Sequence, residues 1–415
     1  MKLILYSWNA NNEQVLADNL IKLGFEITWF KKECRHYTRD MELAMEMIPF
    51  IHERGAEAVV SFNYFPIISM ICNTCHIPYY AWVYDCPHFT LYAKQISLPC
   101  NHIGIFDREM VRQLEEDYGI TTVYHAPLSA DAEYFESVIA RASRKEREKY
   151  QCDVSFVGSL YTGEHNYYDM LFPDEKYSGG THNAVELEID AAGGDEVDTH
   201  TLIQKQCFSY ENDYLRQAVA AGQIDLASLQ KPMEEQGLML GEDYFAKPED
   251  ILIAAVLEKK VTVGERRRLL TAIAASAVDF HLYTGSDTRD IPILGACNYG
   301  MVDYHTQMPL VFSGSRINLN ISLRSIHSGI PLRVLDIMAC GGFVLTNRQP
   351  EIEECFEDGV EIAIFDSMEE CLDKIRYYLN HQEERQQIAE AGRRKVKEIF
   401  SYQVGLERLF LPSNS

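Results

Sequence analysis

Cationic and hydrogen-bond-donating side chains cluster around one predicted helix in the second half of this chain. Arg324 and His327 lie in a polar loop that ends at Gly329. Arg333 lies in the first turn of the helix that Pro331 is expected to open. The free N–H groups and the dipole of a helix start, equivalent to roughly half a positive charge, favour an anion. This spacing therefore predicts a site for a phosphate group at the helix start.

An acidic residue follows on the same helix face. Asp336 lies three residues after Arg333, so the two side chains are neighbours on the helix surface. With Arg333 near a phosphate, the Asp336 carboxylate one turn deeper could accept hydrogen bonds from the hydroxyls of a ribose. The alternative is an ordinary surface pair of Arg and Asp beside a strand–helix turn. The residue pattern alone leaves both interpretations open.

The elements that must position these residues follow a strand–loop–helix–strand order. Apolar residues alternate with polar ones over 317–321, which is the period of a strand with two different faces. Gly329 has no Cβ, so backbone can pass close to a ligand there. The glycine pair at 341–342 ends the helix, and 343–346 is predicted to be a short buried strand.

A second group of candidates lies in the first half of the chain, which opens with a βαβ pattern typical of a parallel sheet. Asp85 and His88 follow a predicted strand at 79–83, where ligands of parallel sheets bind. We expect Asp85 to be a general base that takes a proton from a hydroxyl, with His88 as the second choice. Asp85 could instead cap the turn before Pro87. Asp107 is the predicted N-cap of the helix that follows it.

The overall composition excludes some partners. The chain has 415 residues, enough for two domains, and a formal net charge of −24 with a sequence pI near 4.9. Such a charge repels nucleic acid and anionic lipid, so we expect neither as a partner. An anionic substrate would then require a local basic pocket, which Arg324 and Arg333 could provide.

The cysteines and the apolar runs bear on the compartment. The chain has 11 Cys without an even framework, and Cys72 and Cys75 lie on an apolar run, which favours buried thiols over zinc. No run of eighteen apolar residues exists, and the N-terminal apolar run is too short for a signal peptide. We therefore expect a cytoplasmic protein without a transmembrane segment. The acidic cluster of Asp195, Glu196 and Asp198 is predicted to be a solvated loop, with a calcium or magnesium site as the less favoured alternative.

Longer stretches of the chain resemble a known family. The run INLNISLRSIHSGIPLRVLDIMACGGFVLTN at 317–347 and the run EIEECFEDGVEIAIFDSMEECLDKIRYYL at 351–379 resemble the C-terminal half of CgeB-like group 1 glycosyltransferases. The run NYFPIISMICNTCHIPYYAWVYDCPH at 63–88 resembles the N-terminal domain commonly joined to it. The resemblance covers roughly residues 1–160 and 280–400, in order and spacing rather than in any single residue.

This resemblance implies an α/β protein of the GT-B fold, in which two Rossmann-like domains face each other across a cleft. The N-terminal, acceptor-side domain is expected to span 1–145, and the donor domain 146–400. A mostly helical insertion at about 164–268 interrupts the donor domain, and it could shape acceptor choice or form a homodimer contact. The tail at 401–415 is expected to cross back to the N-terminal domain.

The resemblance also implies where a nucleotide-sugar donor binds. The Arg333 helix lies on the donor in that family, Gly158 and Ser159 match its first phosphate loop, and Gly285 makes room for the base. The full set of residues expected to bind the donor is Gly158, Ser159, Gly285, Arg316, Asn320, Arg324, His327, Ser328, Gly329, Ile330, Arg333 and Asp336. Asp85, His88 and Arg333 are the expected catalytic residues.

The implied function is transfer of a hexose from a nucleoside diphosphate sugar, preferably uridine-linked, to a hydroxyl on a bacterial surface glycan, a protein or a small molecule. Neither a metal nor a further cofactor is expected. Many relatives carry two Glu residues eight apart, whereas this chain has Asp336 and Val344, so inversion and retention both stay open. The alternatives are a binding protein of the same fold without turnover and a sugar-nucleotide epimerase.

Overall fold

The computed structural model describes residues 1–162, 167–172, 199–209, 213–235 and 242–411. The predicted acidic loop of Asp195, Glu196 and Asp198 lies outside the described residues. Within them, the chain forms two separate sheets in which every strand pairs in parallel, each covered by helices.

The first sheet has six strands among the described residues, in the order β2-β1-β3-β4-β5-β6. These strands are β1 Lys2–Ser7, β2 Glu26–Lys31, β3 Ala58–Phe62, β4 Tyr79–Val83, β5 Asn101–Ile105 and β6 Val123–His125. The helices of this half are α1 Glu13–Lys22, α2 Met41–Arg54, α3 Pro66–Cys75, α4 Arg108–Tyr118, α5 Ala132–Arg141 and α6 Arg144–Glu148, with 3-10 turns at Phe89–Tyr92 and Lys94–Ser97. Strands β1 and β3 are buried on both faces, as expected for a parallel sheet between helical layers.

The second sheet has five strands in the described part of the chain, in the order β11-β10-β9-β7-β8. They are β7 Cys152–Val157, β8 Phe280–Tyr283, β9 Ser315–Asn320, β10 Val344–Asn347 and β11 Ala363–Phe365. The helices after β8 are α13 Pro292–Cys297, α14 Met308–Gly314, α15 Leu332–Ala339, α16 Pro350–Cys355, α17 Met368–Asn380, α18 Gln382–Ile399 and α19 Tyr402–Phe410. Gly341 ends α15 with a φ of 76°, a left-handed conformation that glycine adopts at low cost.

Helices fill the described part of the chain between β7 and β8. They are α7 Tyr167–Leu171, α8 Thr199–Gln206, α9 Tyr214–Ala220, α10 Leu226–Glu235, α11 Pro248–Ile251, a π-helical turn Leu252–Leu257 and α12 Glu258–Ala274. This confirms the prediction of a mostly helical insertion. Its proposed end at 268 falls inside α12, because the apolar face of that helix continues to Ile273 against the second sheet.

The insertion packs against the first domain although it belongs to the second in sequence. Phe245 contacts the rings of Tyr92 and Tyr118 at centroid distances of 5.9 and 5.0 Å. Asp243 accepts hydrogen bonds from Thr38 and Arg39 of the first domain at 3.0 and 2.9 Å. The insertion therefore connects the two sheets physically as well as in sequence.

The last helix, α19, also lies on the first domain. The Phe410 ring contacts Phe25 and Tyr80 at centroid distances of 5.2 and 4.5 Å. A Cβ at Gly405 would lie 2.5 Å from the ring of Trp82, so only glycine permits this close approach. Helix α19 therefore packs on the first domain, although it follows the second domain in sequence. None of the helices in the described ranges is both long and apolar enough to cross a membrane.

Candidate active site

The carboxyl ends of the two sheets face each other. Ligands of open parallel sheets bind there, at the point where the strand order reverses, between β1 and β3 in the first domain and between β7 and β9 in the second. Contacts join the two edges directly. Cys86, after β4, donates its thiol hydrogen to the carbonyl of Ser325, after β9, at 2.8 Å. The loops at the two carboxyl edges therefore meet, and this boundary between the domains is called the crevice below.

The loop after β9 is anchored to the first domain by Asp107. The Asp107 carboxylate accepts the backbone N–H of His327 at 2.7 Å and caps α4 by accepting the N–H of Glu109 at 3.1 Å, so its predicted role as an N-cap is confirmed. The Ser328 hydroxyl lies 2.8 Å from Asp107 and 2.7 Å from Glu351. Ser328 is therefore committed to protein partners, which corrects its predicted role in binding a donor.

Gly329 and Ile330 also take part in the contact between the loop after β9 and the first domain. A Cβ on Gly329 would lie 2.8 Å from the ring of Phe106 in the first domain. Ile330 is buried at 3% exposure in the apolar core. The close backbone approach predicted at Gly329 occurs, but it is made to the other domain rather than to a ligand. The expectation that these two residues contact the donor is corrected accordingly.

Arg324 is held in a buried ion pair. Its Nε lies 2.8 and 2.9 Å from the two carboxylate oxygens of Glu265, with only 8% and 2% of the two side chains exposed. Its backbone N–H donates to the hydroxyl of Thr262 at 3.0 Å. Because Glu265 already matches its charge, Arg324 fastens the loop to α12. The prediction that Arg324 neutralises a bound anion is corrected.

His327 is likewise paired within the protein. Its Nε2 lies 3.1 Å from the Glu258 carboxylate. Burial lowers the pKa of His327, but the charges of Glu258 and Asp107 outweigh burial and raise it to about 9. The imidazole is therefore cationic at neutral pH, and its charge is matched by Glu258 rather than left for a ligand.

Arg266, on α12, is the cation at the second switch point that the sequence interpretation missed. Its Nη1 and Nη2 donate to the carbonyls of Ser159 and Ile321, which follow β7 and β9. The side chain forms no ion pair within the described ranges, and burial lowers its pKa against the opposing effects of Tyr161 and Glu265. An arginine triplet in an acidic chain, Arg266 to Arg268, was the available signal. Arg266 thus brings positive charge between the two loops where a ligand of this sheet would lie.

Arg333 and Asp336 share the face of α15 that was predicted. Arg333 is 29% exposed, and its Nη1 lies 3.4 Å from Asp336. Asp336 is only 1% exposed and accepts the hydroxyl of Tyr304 at 2.8 Å, while Asn12 of the first domain donates to that hydroxyl at 3.1 Å. Burial raises the pKa of Asp336 to about 6, against the opposing effects of Arg333 and Tyr304. Asp336 therefore organises the domain contact, and its predicted bonding to a ribose is corrected.

Three predicted donor contacts lie at the loops after β7 and β8. Ser159 is exposed, and its hydroxyl lies 3.3 Å from that of Ser286. Gly158 packs on Phe156, and a Cβ there would lie 3.3 Å from its ring. A Cβ on Gly285 would lie 2.7 Å from the sulfur of Met301, an exposed and flexible side chain.

A pocket of about 570 Å³ borders these loops, lined by Thr162, Arg267, Asp287 and Arg289 among others. Pockets of this size hold small-molecule ligands.

Two further predicted contacts lie near opposite ends of β9. Arg316 is at the start of β9, where it pairs with Asp153 at 2.9 Å. That is the opposite edge of the sheet from the crevice, so its predicted contact with the donor is corrected. Asn320 is at the correct edge, but its amide donates to Ser322 and Thr346 at 3.1 and 2.9 Å. Asn320 therefore joins strand ends instead of facing a ligand.

The predicted catalytic pair of the first domain is brought together, with different environments. Asp85 is exposed, and its carboxylate accepts the amide hydrogen of Asn63 at 2.7 Å. The Nε2 of His88 lies 2.7 Å from the hydroxyl of Thr90 and 3.2 Å from the carbonyl of Tyr64, and burial lowers the pKa of His88. Asp85 is thus accessible to a substrate hydroxyl, whereas the Nε2 of His88 positions the loop.

An acid fills the loop after β1. The Glu13 carboxylate accepts the N–H groups of Trp8 and Ala10 at 2.9 and 3.0 Å and the Ser7 hydroxyl at 2.6 Å. In Rossmann-like domains such N–H groups, at a helix start, are those that bind phosphate. Here the protein's own carboxylate occupies them, so the first domain is closed to an anion at this loop.

Comparisons with known proteins agree with this architecture. Residues 265–410 match the profile of a family described as glycosyl transferase-like. A glycosyltransferase from Rickettsia africae is similar over 100% of this chain and 99% of its own, with 10% identity and a TM-score of 0.55. Sucrose-phosphate synthase from Thermosynechococcus elongatus covers 99% and 98%, with 9% identity and a TM-score of 0.53. Anabaena HepE in complex with UDP-glucose covers 99% and 98%, with 8% identity and a TM-score of 0.53.

No curated protein matches the chain by sequence. The structural similarity confirms the predicted GT-B fold of two α/β domains with parallel sheets. The family match and the fold together support a transferase.

Proposed function

We propose that the protein transfers a hexose from a UDP-linked donor to a hydroxyl acceptor. The observation that carries this proposal is Arg266, a buried guanidinium that bridges the loops after β7 and β9 beside Arg333 and forms no ion pair within the described residues. Buried charges in proteins are normally paired. A diphosphate at this switch point would provide the missing negative charge.

The two arginines have different roles in this mechanism. Arg333 is partly exposed at the start of α15, so it contacts the departing diphosphate together with the N–H groups of the helix start. Arg266 lies between the two loops, where it holds Ser159 and Ile321 and adds positive potential. Fixed donors and charges of this kind stabilise the negative charge that develops on a leaving group. In this proposal they take the role that a divalent cation has in other transferases.

Asp85 serves as the general base in the proposed reaction. It accepts the proton of the acceptor hydroxyl while that oxygen forms the new bond to the anomeric carbon and the bond from this carbon to the diphosphate breaks. Asn63 orients Asp85 through the 2.7 Å hydrogen bond, and Asn63 is itself 2% exposed. A base that acts on the acceptor fits an inverting transfer.

All 11 cysteines are free thiols, which supports the proposal that the protein works in a reducing cytoplasm.

The acceptor belongs to the class of hydroxylated glycans, proteins or small molecules, and the donor is the partner that can be tested first. UDP-glucose, UDP-galactose, UDP-N-acetylglucosamine and GDP-mannose are each incubated with the protein and a panel of glycan acceptors, and nucleotide release is measured. We expect release with a UDP-linked donor at equal rates in EDTA and in Mg²⁺. Binding of these donors without any release, across the panel, would instead support the alternative of a non-catalytic binding protein.

A further inference from the structure

A second pocket lies on the far side of the donor domain. It has a volume of about 610 Å³ and opens where β7 and β9 begin, whereas the crevice lies where they end. Six-residue strands span roughly 20 Å, so the sheet separates the two. The residues that line this far pocket and that matter here are Asp153, Ser313, Arg316, Gln382, Arg385 and Gln386.

Arg385 is a buried cation with spare hydrogen-bond donors in the far pocket. It is 7% exposed, and its Nη1 donates to the carbonyl of Tyr378. This is the one hydrogen bond of the Arg385 side chain within the described ranges, and the side chain forms no ion pair there. Burial and the nearby charge of Arg316 lower the pKa of Arg385, against the opposing effect of Asp153. A buried charge without a partner is unfavourable, and an anionic group of a ligand would remove that penalty.

Two acids line the far pocket, and one of them is paired with an arginine. Asp153 pairs with Arg316 at 2.9 Å, and Asp279 lies 3.4 Å from the Nε2 of His281. Arg385 is therefore the buried arginine of this pocket that has no ion pair within the described part of the chain. The two acids would repel a ligand of high negative charge, so a single anionic group fits best.

The remaining lining groups suit hydroxyls. Gln382, Arg385 and Gln386 lie on one face of α18, at spacings of three and four residues. Amides donate and accept, as does the Ser313 hydroxyl on the opposite wall. Gln382 is the first residue of this 18-residue helix, whose free N–H groups add to the attraction for an anion. A cavity of about 610 Å³ is within the range of small-ligand sites.

We propose that the far pocket binds a small polyhydroxylated anion, a sugar phosphate or a sugar acid, through Arg385 and the two glutamines of α18. Arg385 receives the phosphate or carboxylate, and Gln382, Gln386 and Ser313 receive the hydroxyls. The site is separate from the donor crevice and requires no turnover.

Binding to the whole protein tests this proposal. Glucose 6-phosphate, gluconate, inorganic phosphate and glucose are titrated by calorimetry, with and without saturating UDP. We expect binding of glucose 6-phosphate or gluconate, and the stronger of the two identifies the anionic group. Inorganic phosphate has the anionic group without the sugar hydroxyls, and glucose has the hydroxyls without the anionic group. Both should therefore bind more weakly. UDP should leave the affinity unchanged, because the crevice is at the other edge of the sheet.

Variants locate the site. Arg385→Gln should weaken binding by roughly tenfold or more, the effect of losing a charge-assisted hydrogen bond. Gln386→Ala removes one amide without touching a buried charge, and it should weaken binding by a few-fold even where Arg385→Gln folds poorly. Arg376→Gln, at an arginine that is 72% exposed on α17, is the matched control and should bind as the parent protein does.

Several results would overturn the proposal. One is the absence of binding by both sugar anions at millimolar concentration. Another is equal affinity in the Gln386→Ala and Arg376→Gln variants. Displacement of the probe by UDP would place the probe in the donor crevice instead. Because the assay measures binding alone, it can succeed or fail independently of the proposed glycosyl transfer.

Discussion

The two switch points of this molecule have the same topology and opposite electrostatics. In the first domain the indole N–H of Trp8, after β1, donates to the carbonyl of Phe62 at the end of β3 at 2.9 Å. In the second domain the equivalent span, from β7 to β9, is bridged by the guanidinium of Arg266. A neutral donor crosses one switch point and a cation crosses the other.

The loops after β1 and β7 show the same difference in charge. Glu13 fills the N–H groups after β1, whereas the loop after β7 ends in the exposed Ser159, backed by Arg266. The side chains therefore disfavour an anion at the first switch point and favour one at the second. The comparison teaches that a shared topology offers two ligand sites, and that a few charged side chains decide which substrate each of them takes.

The largest expected effect concerns Asp85 in the first domain. Asp85→Asn removes the proposed base but keeps an oxygen that can accept the Asn63 amide hydrogen. Turnover should fall by about a thousandfold, the middle of the range for general bases, with little change in donor KM. Steady-state nucleotide release measures both. A loss of turnover below tenfold would favour the alternative role of Asp85 as a cap of the turn before Pro87.

Arg324→Met tests the arginine that we exclude from catalysis. It leaves Glu265 buried and unpaired, so the free energy of unfolding should fall by about 3 kcal/mol, as for other broken buried pairs. Urea unfolding followed by circular dichroism measures this. The double variant Arg324→Met with Glu265→Leu should recover much of the loss. If the variant kept its stability but lost donor binding, Arg324 would instead be a ligand-binding residue.

Arg333→Ala tests the arginine that we place on the diphosphate. Turnover should fall on the order of a hundredfold, the usual effect of losing one preorganised donor. The free energy of unfolding should fall less than in Arg324→Met, because the contact of Arg333 with Asp336 is 3.4 Å long and Asp336 keeps the hydrogen bond from Tyr304. Nucleotide release and thermal unfolding are measured together, with Arg376→Ala on the exposed face of α17 as the control. Full activity in the Arg333 variant would contradict the proposed contact of Arg333 with the diphosphate.

Arg266→Lys keeps the charge at the second switch point and loses the fork that holds two carbonyls at once. We expect UDP affinity to weaken by roughly tenfold, since lysine cannot reproduce the planar geometry of arginine. Calorimetric titration with UDP measures the change. Arg376→Lys, at an arginine that is 72% exposed on α17, is the control. Equal affinity in both variants would contradict the role of Arg266.

The smallest effect is a pH dependence of stability from His327. Its pKa is raised in the folded protein from 6.5 to about 9, so the protonated form stabilises the fold. This contribution is fully present below pH 6.5 and is lost as the pH rises through about 9. Tm should therefore fall over that window, and His327→Gln should flatten the fall. The same slope in both proteins would show that other groups cause it.

The sequence by itself determined the architecture of this protein. Alternating and continuous apolar runs predict the strands and helices because burial against a sheet follows from local periodicity. The predicted strands at 79–83 and 343–346 correspond to Tyr79–Val83 and Val344–Asn347, and the cap at Asp107 is confirmed. The family resemblance added the GT-B arrangement, which the structural similarity confirms.

Only the tertiary structure decided which polar residues remain available to a ligand. Arg324 and Arg333 look alike in sequence, but Glu265, 59 residues away, neutralises the first. Arg266 gave no periodic signal, and it matters because the fold brings its guanidinium between two loops distant in the chain. Local patterns depend on neighbours within a few residues, whereas the pairing of a charge depends on contacts between distant segments, and such contacts exist only once the chain has folded.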